Sequence, residues 1–118
     1  GSIVNIGSMS GLVANRPELE THYCASKAGV HMLTRSLAGE WAAKGVRVNA
    51  IAPTYIETPM TREYINDSDR YAAWARNTPM HRVGQPDEVA SAVLFLASDA
   101  ASLVTGAVLV ADAGYTVW

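Results

Sequence analysis

Val46-Arg47-Val48-Asn49-Ala50-Ile51-Ala52-Pro53 is the stretch on which the fold turns. It is short, rich in β-branched and small apolar residues, and stopped by a proline, so it reads as a strand. Gly45 stands just before it, in the place where glycine ends a helix at no steric cost. The helix that it ends runs from about Tyr23 to Lys44, with Val30, Leu33, Leu37 and Trp41 three or four apart on one face. Further upstream, Ser2-Ile3-Val4-Asn5-Ile6 is a second β-rich run, closed by Gly7-Ser8-Met9-Ser10-Gly11, and the polar stretch Asn15 to His22 continues that loop. Strand, long helix, strand is a βαβ crossover. The chain begins at the edge of a strand, which predicts a truncated start.

Working downstream, Thr54 to Met80 is polar and mixed, with Pro59, Pro79 and a helical piece holding Tyr64, Tyr71 and Trp74. It is expected to be an excursion between core elements, a substrate lid over 54–80. The three aromatics either line a substrate mouth or glue the lid down. Gln85-Pro86-Asp87-Glu88 starts a helix, because proline fits the first helical position and two acids sit near the positive end of the dipole. That helix, Asp87 to Ala97, leads to a third strand, Ala107-Val108-Leu109-Val110. Strands alternating with helices predict an α/β fold whose parallel sheet is covered on both faces.

Composition narrows the function. The chain has 118 residues, 49% hydrophobic and 17% charged, and a net charge of −2, which fits one globular domain or a large piece of one. No run of Lys or Arg offers a basic face for nucleic acid or an anionic membrane. The most apolar stretch, Val89 to Val110, is broken by Ser98, Asp99 and Ser102 and is too polar to span a bilayer. Small-molecule chemistry is the expectation. A single Cys24 excludes an internal disulfide and makes the cytoplasm the default compartment. His22, His31 and His81 have no metal-ligand spacing and read as surface or loop residues, so no metal site is expected.

Tyr23-Cys24-Ala25-Ser26-Lys27 puts a phenol and an ammonium about one turn apart on one helix face. A free tyrosine has a pKa of about 10, and a cation at roughly 4 Å favours the phenolate by up to about 4 kcal/mol at an effective dielectric near 20. That equals at most about three pKa units, enough for the phenol to exchange protons near neutral pH. The spacing alone occurs by chance on many helices. Its context adds Ser8, at the carboxyl end of the first strand, where open α/β sheets bind ligands.

Asn5-Ile6-Gly7-Ser8-Met9-Ser10-Gly11, then Tyr23-Cys24-Ala25-Ser26-Lys27, then Arg47-Val48-Asn49-Ala50-Ile51-Ala52-Pro53, resembles the short-chain dehydrogenase/reductase family. Phe95-Leu96-Ala97-Ser98 and Val104-Thr105-Gly106 extend the resemblance to nearly the whole chain. It implies the C-terminal half of a Rossmann-like doubly wound parallel sheet, a three-layer αβα arrangement. It also implies roles. Ser8 orients the reacting hydroxyl or carbonyl, Tyr23 is the general acid/base, and Lys27 lowers the phenol pKa and holds the nicotinamide ribose. Ser10 is the rival to Ser8; aligning Gly11 with the family glycine selects Ser8. Pro53 to Met60 matches the loop over the nicotinamide, with the backbone of Ile56 and the hydroxyl of Thr58 on the carboxamide; Thr54 stands where the family usually has glycine.

The glycine-rich phosphate turn, the residue that chooses between NAD and NADP, and the Asn-Asn-Ala-Gly stretch of the family are absent from these residues. The expectation is therefore a single partial domain over 1–118, the catalytic half of a longer enzyme that uses NAD or NADP. Asn15-Arg16-Pro17 and the ending Ala113-Gly114-Tyr115-Thr116-Val117-Trp118 look most like bacterial polyol dehydrogenases of the galactitol, arabitol or sorbitol type, although Ala113 replaces a glycine of the usual Asp-Gly-Gly. The implied substrate is a small alcohol or ketone and the implied assembly a homo-oligomer, a tetramer in the family. The alternatives are a 3-oxoacyl-(acyl-carrier-protein) reductase and a non-catalytic assembly module.

Overall fold

The computed structural model describes all residues from Gly1 to Trp118. Three strands form one wholly parallel sheet in the order β1-β2-β3: β1 (Ser2–Ile6), β2 (Arg47–Pro53) and β3 (Val108–Ala111). Between them lie α1 (Thr21–Trp41), α2 (Arg62–Asn66), α3 (Ser68–Asn77) and α4 (Pro86–Ala97). β2 is the central strand, and from Val48 to Pro53 all its residues are buried, as a strand covered on both faces must be. Pro53 closes it, and the Thr54 N–H resumes the ladder by donating to the Ala111 carbonyl at 3.3 Å.

The two long helices lie on opposite faces of the sheet. Asn5 Nδ2 donates to Thr34 Oγ1 of α1 at 2.9 Å, whereas Ser2 Oγ and Arg47 Nη1 donate to the Leu96 carbonyl of α4 at 3.1 and 2.9 Å. Ser2 and Asn5 are an odd number of residues apart and point to opposite sides of β1. Since both crossovers step across the sheet in the same direction, passing on opposite faces gives them opposite hands. Short connections enforce the right-handed form; here the long stretch from Thr54 to Gln85 carries the chain over the carboxyl edge to the other face.

Local chemistry explains the ends. α1 runs into a short 3-10 turn, Ala42–Lys44, and Gly45 takes φ 72°, the left-handed cap expected of it. At α4 the Glu88 carboxylate accepts the Gln85 N–H at 2.8 Å, and Pro86 holds the first position. Asn49, fully buried on β2, donates to the Val104 carbonyl at 2.9 Å and accepts the Ala107 N–H at 3.0 Å. Thr105 Oγ1 accepts the Val48 N–H at 3.1 Å. The Val48-Asn49 and Val104-Thr105-Gly106 motifs are thus two sides of one joint, which sets the register of β3.

Of the stripe Val30, Leu33, Leu37 and Trp41, Leu33 is 52% exposed and the other three are half-buried, and the buried line of α1 beside it is His31, Thr34 and Ala38. The buried face is polar and small because it must lie close to β1 and accept a hydrogen bond from Asn5. No helix is long and apolar enough to cross a membrane.

Candidate active site

The site is assembled where β1 ends. Ser8 stands two residues past the strand and caps a 3-10 turn, Met9–Gly11: its hydroxyl accepts the Ser10 N–H at 3.1 Å and donates to Ser10 Oγ at 3.0 Å. Both serines are buried, and the Ser10 hydroxyl holds the Ser8 hydroxyl in place. Tyr23 lies in the first turn of α1, at the rim, and Lys27 one turn further in. Lys27 Nζ donates to the Ile6 carbonyl at 3.0 Å and lies 5.6 Å from the centroid of the Tyr23 ring. The lysine thereby ties the helix carrying the tyrosine to the carboxyl end of the strand that leads into the serine turn.

Two glycines let the serine turn press against α1. A Cβ on Gly11 would sit 2.7 Å from the backbone carbon of Lys27 and 2.8 Å from the nitrogen of Ala28. A Cβ on Gly7 would sit 2.3 Å from His31 Nε2 and 3.0 Å from the Ile51 carbonyl oxygen. Real Cβ atoms essentially never approach so closely. His31 is 4% exposed and accepts the Ser8 N–H on Nε2 at 3.4 Å. It is a correction to the expectation of a surface or loop histidine. Burial lowers its pKa; the Gly11 backbone acts against that lowering, and Arg35 and Lys27 reinforce it. The ring is consequently neutral at neutral pH and able to accept.

The segment after β2 runs along the same carboxyl edge. Ile56 forms a parallel bridge with Gly84, in which Gly84 N–H donates to the Tyr55 carbonyl and Glu57 N–H to the Gly84 carbonyl, both at 2.9 Å. That pattern leaves the Ile56 N–H without a partner in the chain. Its carbonyl accepts from Thr61 Oγ1 at 2.5 Å, and the same hydroxyl accepts the Thr58 N–H at 2.9 Å and shares a hydrogen bond of 3.2 Å with Thr58 Oγ1. Thr61 was not singled out in the sequence, yet it shapes the whole Pro53 to Thr58 turn. Thr54 Oγ1 is buried there with no partner.

Glu18 is the second residue that motif spacing missed. Its carboxylate accepts Trp74 Nε1 at 3.1 and 3.2 Å and the Tyr55 hydroxyl at 3.4 Å. Tyr55 and Trp74 stack at 4.0 Å with 6° between their planes, and Tyr115 meets Tyr55 edge-on at 6.0 Å. Burial pushes the Tyr55 phenol up, with Tyr115 and Glu18 pushing the same way, so it serves as a fixed donor and not as a proton exchanger. Trp74 is buried and fastens the excursion, whereas Tyr64 is 40% exposed. A cavity of about 200 Å³ opens among Asn15, Glu18, Tyr55, Tyr64, Arg70 and Trp74. Asn15 is 4% exposed and its Oδ1 has no partner. No group of three His, Cys, Asp or Glu side chains is placed to hold a metal ion.

A family model described as enoyl-(acyl carrier protein) reductase matches residues 1–116. The chain belongs to the short-chain dehydrogenase/reductase family. It is 62% identical over 118 residues to a galactitol 2-dehydrogenase of Rhizobium johnstonii, matching all of this chain and 46% of the relative. It is 48% identical over 120 residues to a ribulose-forming D-arabinitol 2-dehydrogenase of Scheffersomyces stipitis, all of this chain and 43% of the relative. A 3-oxoacyl-[acyl-carrier-protein] reductase of Thermotoga maritima is 48% identical over 117 residues, 99% of this chain and 46% of the relative. Among solved structures, gox2181 superposes with a TM-score of 0.97 at 64% identity, over all of this chain and 46% of that one. 4-Hydroxyisoleucine dehydrogenase complexed with NADH superposes with a TM-score of 0.95 at 36% identity, over all of this chain and 48% of that one. The short-chain dehydrogenase/reductase chain described here thus spans about half the length of the relatives it matches, and its three-layer parallel arrangement is the Rossmann-like fold of that family.

Proposed function

We propose that this chain is the catalytic half, a single partial domain over 1–118, of an NAD- or NADP-dependent oxidoreductase acting on a secondary alcohol or ketone, a sugar alcohol in particular. The observation that carries the proposal is the lysine: its ammonium is anchored on the Ile6 carbonyl beside the Ser8 turn and stands over the Tyr23 ring. When bound, the nicotinamide supplies the hydride acceptor or donor. The chain's residues fit such a group at one visible point, the unpartnered Ile56 N–H at the sheet's carboxyl edge, a donor free for the carboxamide. Pro53 ends the strand three residues before Ile56, and the Thr58 hydroxyl shares a hydrogen bond with the Thr61 hydroxyl that binds the Ile56 carbonyl.

Tyr23 takes the proton of the substrate hydroxyl in oxidation and returns it to the carbonyl oxygen in reduction. Ser8, turning its hydroxyl proton from Ser10 Oγ, donates to that oxygen and fixes its direction, and Lys27, held beside the Tyr23 ring, binds the ribose hydroxyls. Asn15, with a buried unpartnered amide oxygen, and the carboxylate of Glu18 offer hydrogen bonds at the cavity that the excursion covers. A polyol, with a hydroxyl on every carbon, can satisfy such a wall; an acyl chain leaves it unpaired. Segment 54–80 then serves as the lid. The identities with galactitol and D-arabinitol dehydrogenases support the same substrate class.

The whole protein is proposed to be a cytoplasmic homotetramer with no nucleic-acid or membrane partner, a reading supported by apolar side chains left open on α1 and α4, Leu33 and Leu94 among them. The second reading, a 3-oxoacyl-(acyl-carrier-protein) reductase, draws on the Thermotoga relative. One assay separates them: NAD or NADP reduction by the intact protein on galactitol, arabitol and sorbitol, against NADPH oxidation with an acetoacetyl thioester. Turnover on the polyols is expected. Turnover on the thioester alone would replace the polyol reading, and turnover on neither would favour a non-catalytic assembly module.

A further inference from the structure

We infer that His31 is a positioning residue: a neutral imidazole, wedged between Gly7 and Gly11, that holds the Ser8 turn at its working distance from Tyr23 and Lys27. The inference rests on the reading of Ser8 as the group that orients the substrate oxygen.

Three observations carry it. The ring sits on α1 one turn beyond Lys27 and two beyond Tyr23, and it is almost wholly buried. It lies against both ends of the serine turn: a Cβ on Gly7 would fall 2.3 Å from Nε2 and one on Gly11 2.7 Å from Cε1, so the ring, together with the backbone of Ile51, Lys27 and Ala28, leaves no room for a side chain at either position. Nε2 accepts the backbone N–H of Ser8 itself at 3.4 Å. A flat ring clasped in this way fixes the turn in translation, and the hydrogen bond fixes it in rotation. Leucine in the same place would fill volume and offer no acceptor, leaving the Ser8 N–H buried and unpaired.

The arrangement also specifies the tautomer. Because Nε2 accepts, the proton of the neutral ring is on Nδ1, a buried nitrogen with no hydrogen-bond partner in the chain. Lys27 and Arg35 are the charges that bear on the ring from its own helix. The groups pressed against it from the serine turn are the backbone of Gly7, Ser8 and Gly11, none of which titrates. Of these groups only the Gly11 backbone favours an imidazolium, and burial outweighs it.

The test uses the intact protein and three variants, His31→Leu, His31→Gln and Ser8→Ala, with kcat, KM for polyol and Kd for the dinucleotide measured in each. Gln retains an acceptor near the position of Nε2 and Leu does not. His31→Leu is expected to lower kcat by about tenfold to a hundredfold with dinucleotide affinity unchanged, since a displacement of the order of 1 Å at a reacting group costs up to about a hundredfold. His31→Gln is expected to recover most of that loss. Equal losses in Leu and Gln, or a Leu variant within twofold of the parent, would overturn the inference. Ser8→Ala separates the two levels: if it turns over normally, the role of Ser8 fails; if it is inactive while His31→Leu is not, only the positioning role fails. Should His31→Leu not fold, ring-nitrogen NMR of the parent decides alone. A neutral His31 protonated on Nδ1 at neutral pH supports the inference, and a proton on Nε2 or a charged ring overturns it.

Discussion

Gly11→Ala should loosen the site without touching a reacting group. The added methyl would lie 2.7 Å from the Lys27 backbone carbon, 2.8 Å from the Ala28 nitrogen and 2.7 Å from His31 Cε1. Two of these neighbours are helix backbone and cannot swing aside. To reach the lower edge of ordinary contact at 3.4 Å, the turn must retreat from α1 by about 0.7 Å. Overpacking of this kind costs about 1–3 kcal/mol, which is read as a fall in Tm of a few degrees per kcal/mol. The same retreat carries Ser8 away from Tyr23, so kcat should fall by about tenfold or more, with dinucleotide affinity held. Differential scanning calorimetry and steady-state kinetics on the intact protein read the two effects. A variant with unchanged Tm and unchanged kcat would refute the claim that the serine turn is seated by glycine contact with the helix.

Other perturbations report on other joints. Glu18→Ala should strand Trp74 Nε1, a buried donor, and destabilise by about 1–3 kcal/mol, seen in a denaturant titration together with a raised KM for polyol. Ala113 has φ 53°, a left-handed backbone that costs a residue with a Cβ about 1–2 kcal/mol; allowing for the greater freedom of glycine in the unfolded chain, Ala113→Gly should stabilise by about 0.5–1 kcal/mol in the same titration. Hydrogen bonds from Arg82 and from the Gln85 backbone hold the Glu88 carboxyl at about 2, below its ordinary 4.5. A depressed carboxylate stabilises the fold above its unfolded pKa, and that contribution is lost as pH falls between those two values. Acid melts of Arg82→Ala should therefore show a shallower loss over that window than the parent.

What the sequence made legible was punctuation and order. Gly45 and Pro86 mark helix ends through backbone chemistry that acts within a few residues, and they stand where expected. Three apolar runs separated by helices were enough for a parallel sheet, and Ser8, Tyr23, Lys27 and the Pro53 to Thr58 segment lie along its carboxyl edge as the motif order implied. The buried line of α1 was not legible, because periodicity finds the apolar stripe, and the residues packed deepest lie beside it. His31 was missed for the same reason: a polar residue on the buried face looks like a surface residue until its partner, a backbone N–H twenty-three positions away, is known. Glu18 and Trp74 are fifty-six residues apart, and nothing local in either segment announces the other. The one available signal was the pair Gly7 and Gly11 around Ser8, whose missing side chains imply a close neighbour.

The central claim is that Ser8, Tyr23 and Lys27 form one proton-handling site. Replacing Tyr23 with Phe in the intact protein removes a single oxygen from a residue at the helix rim, where folding does not depend on it. The decisive measurement is the kcat for polyol oxidation of Tyr23→Phe, taken beside its Tm and its dinucleotide Kd. A fall of about a hundredfold to ten-thousandfold, the usual contribution of a positioned acid or base, with the other two unchanged, is the predicted result. A kcat within a few fold of the parent would contradict it.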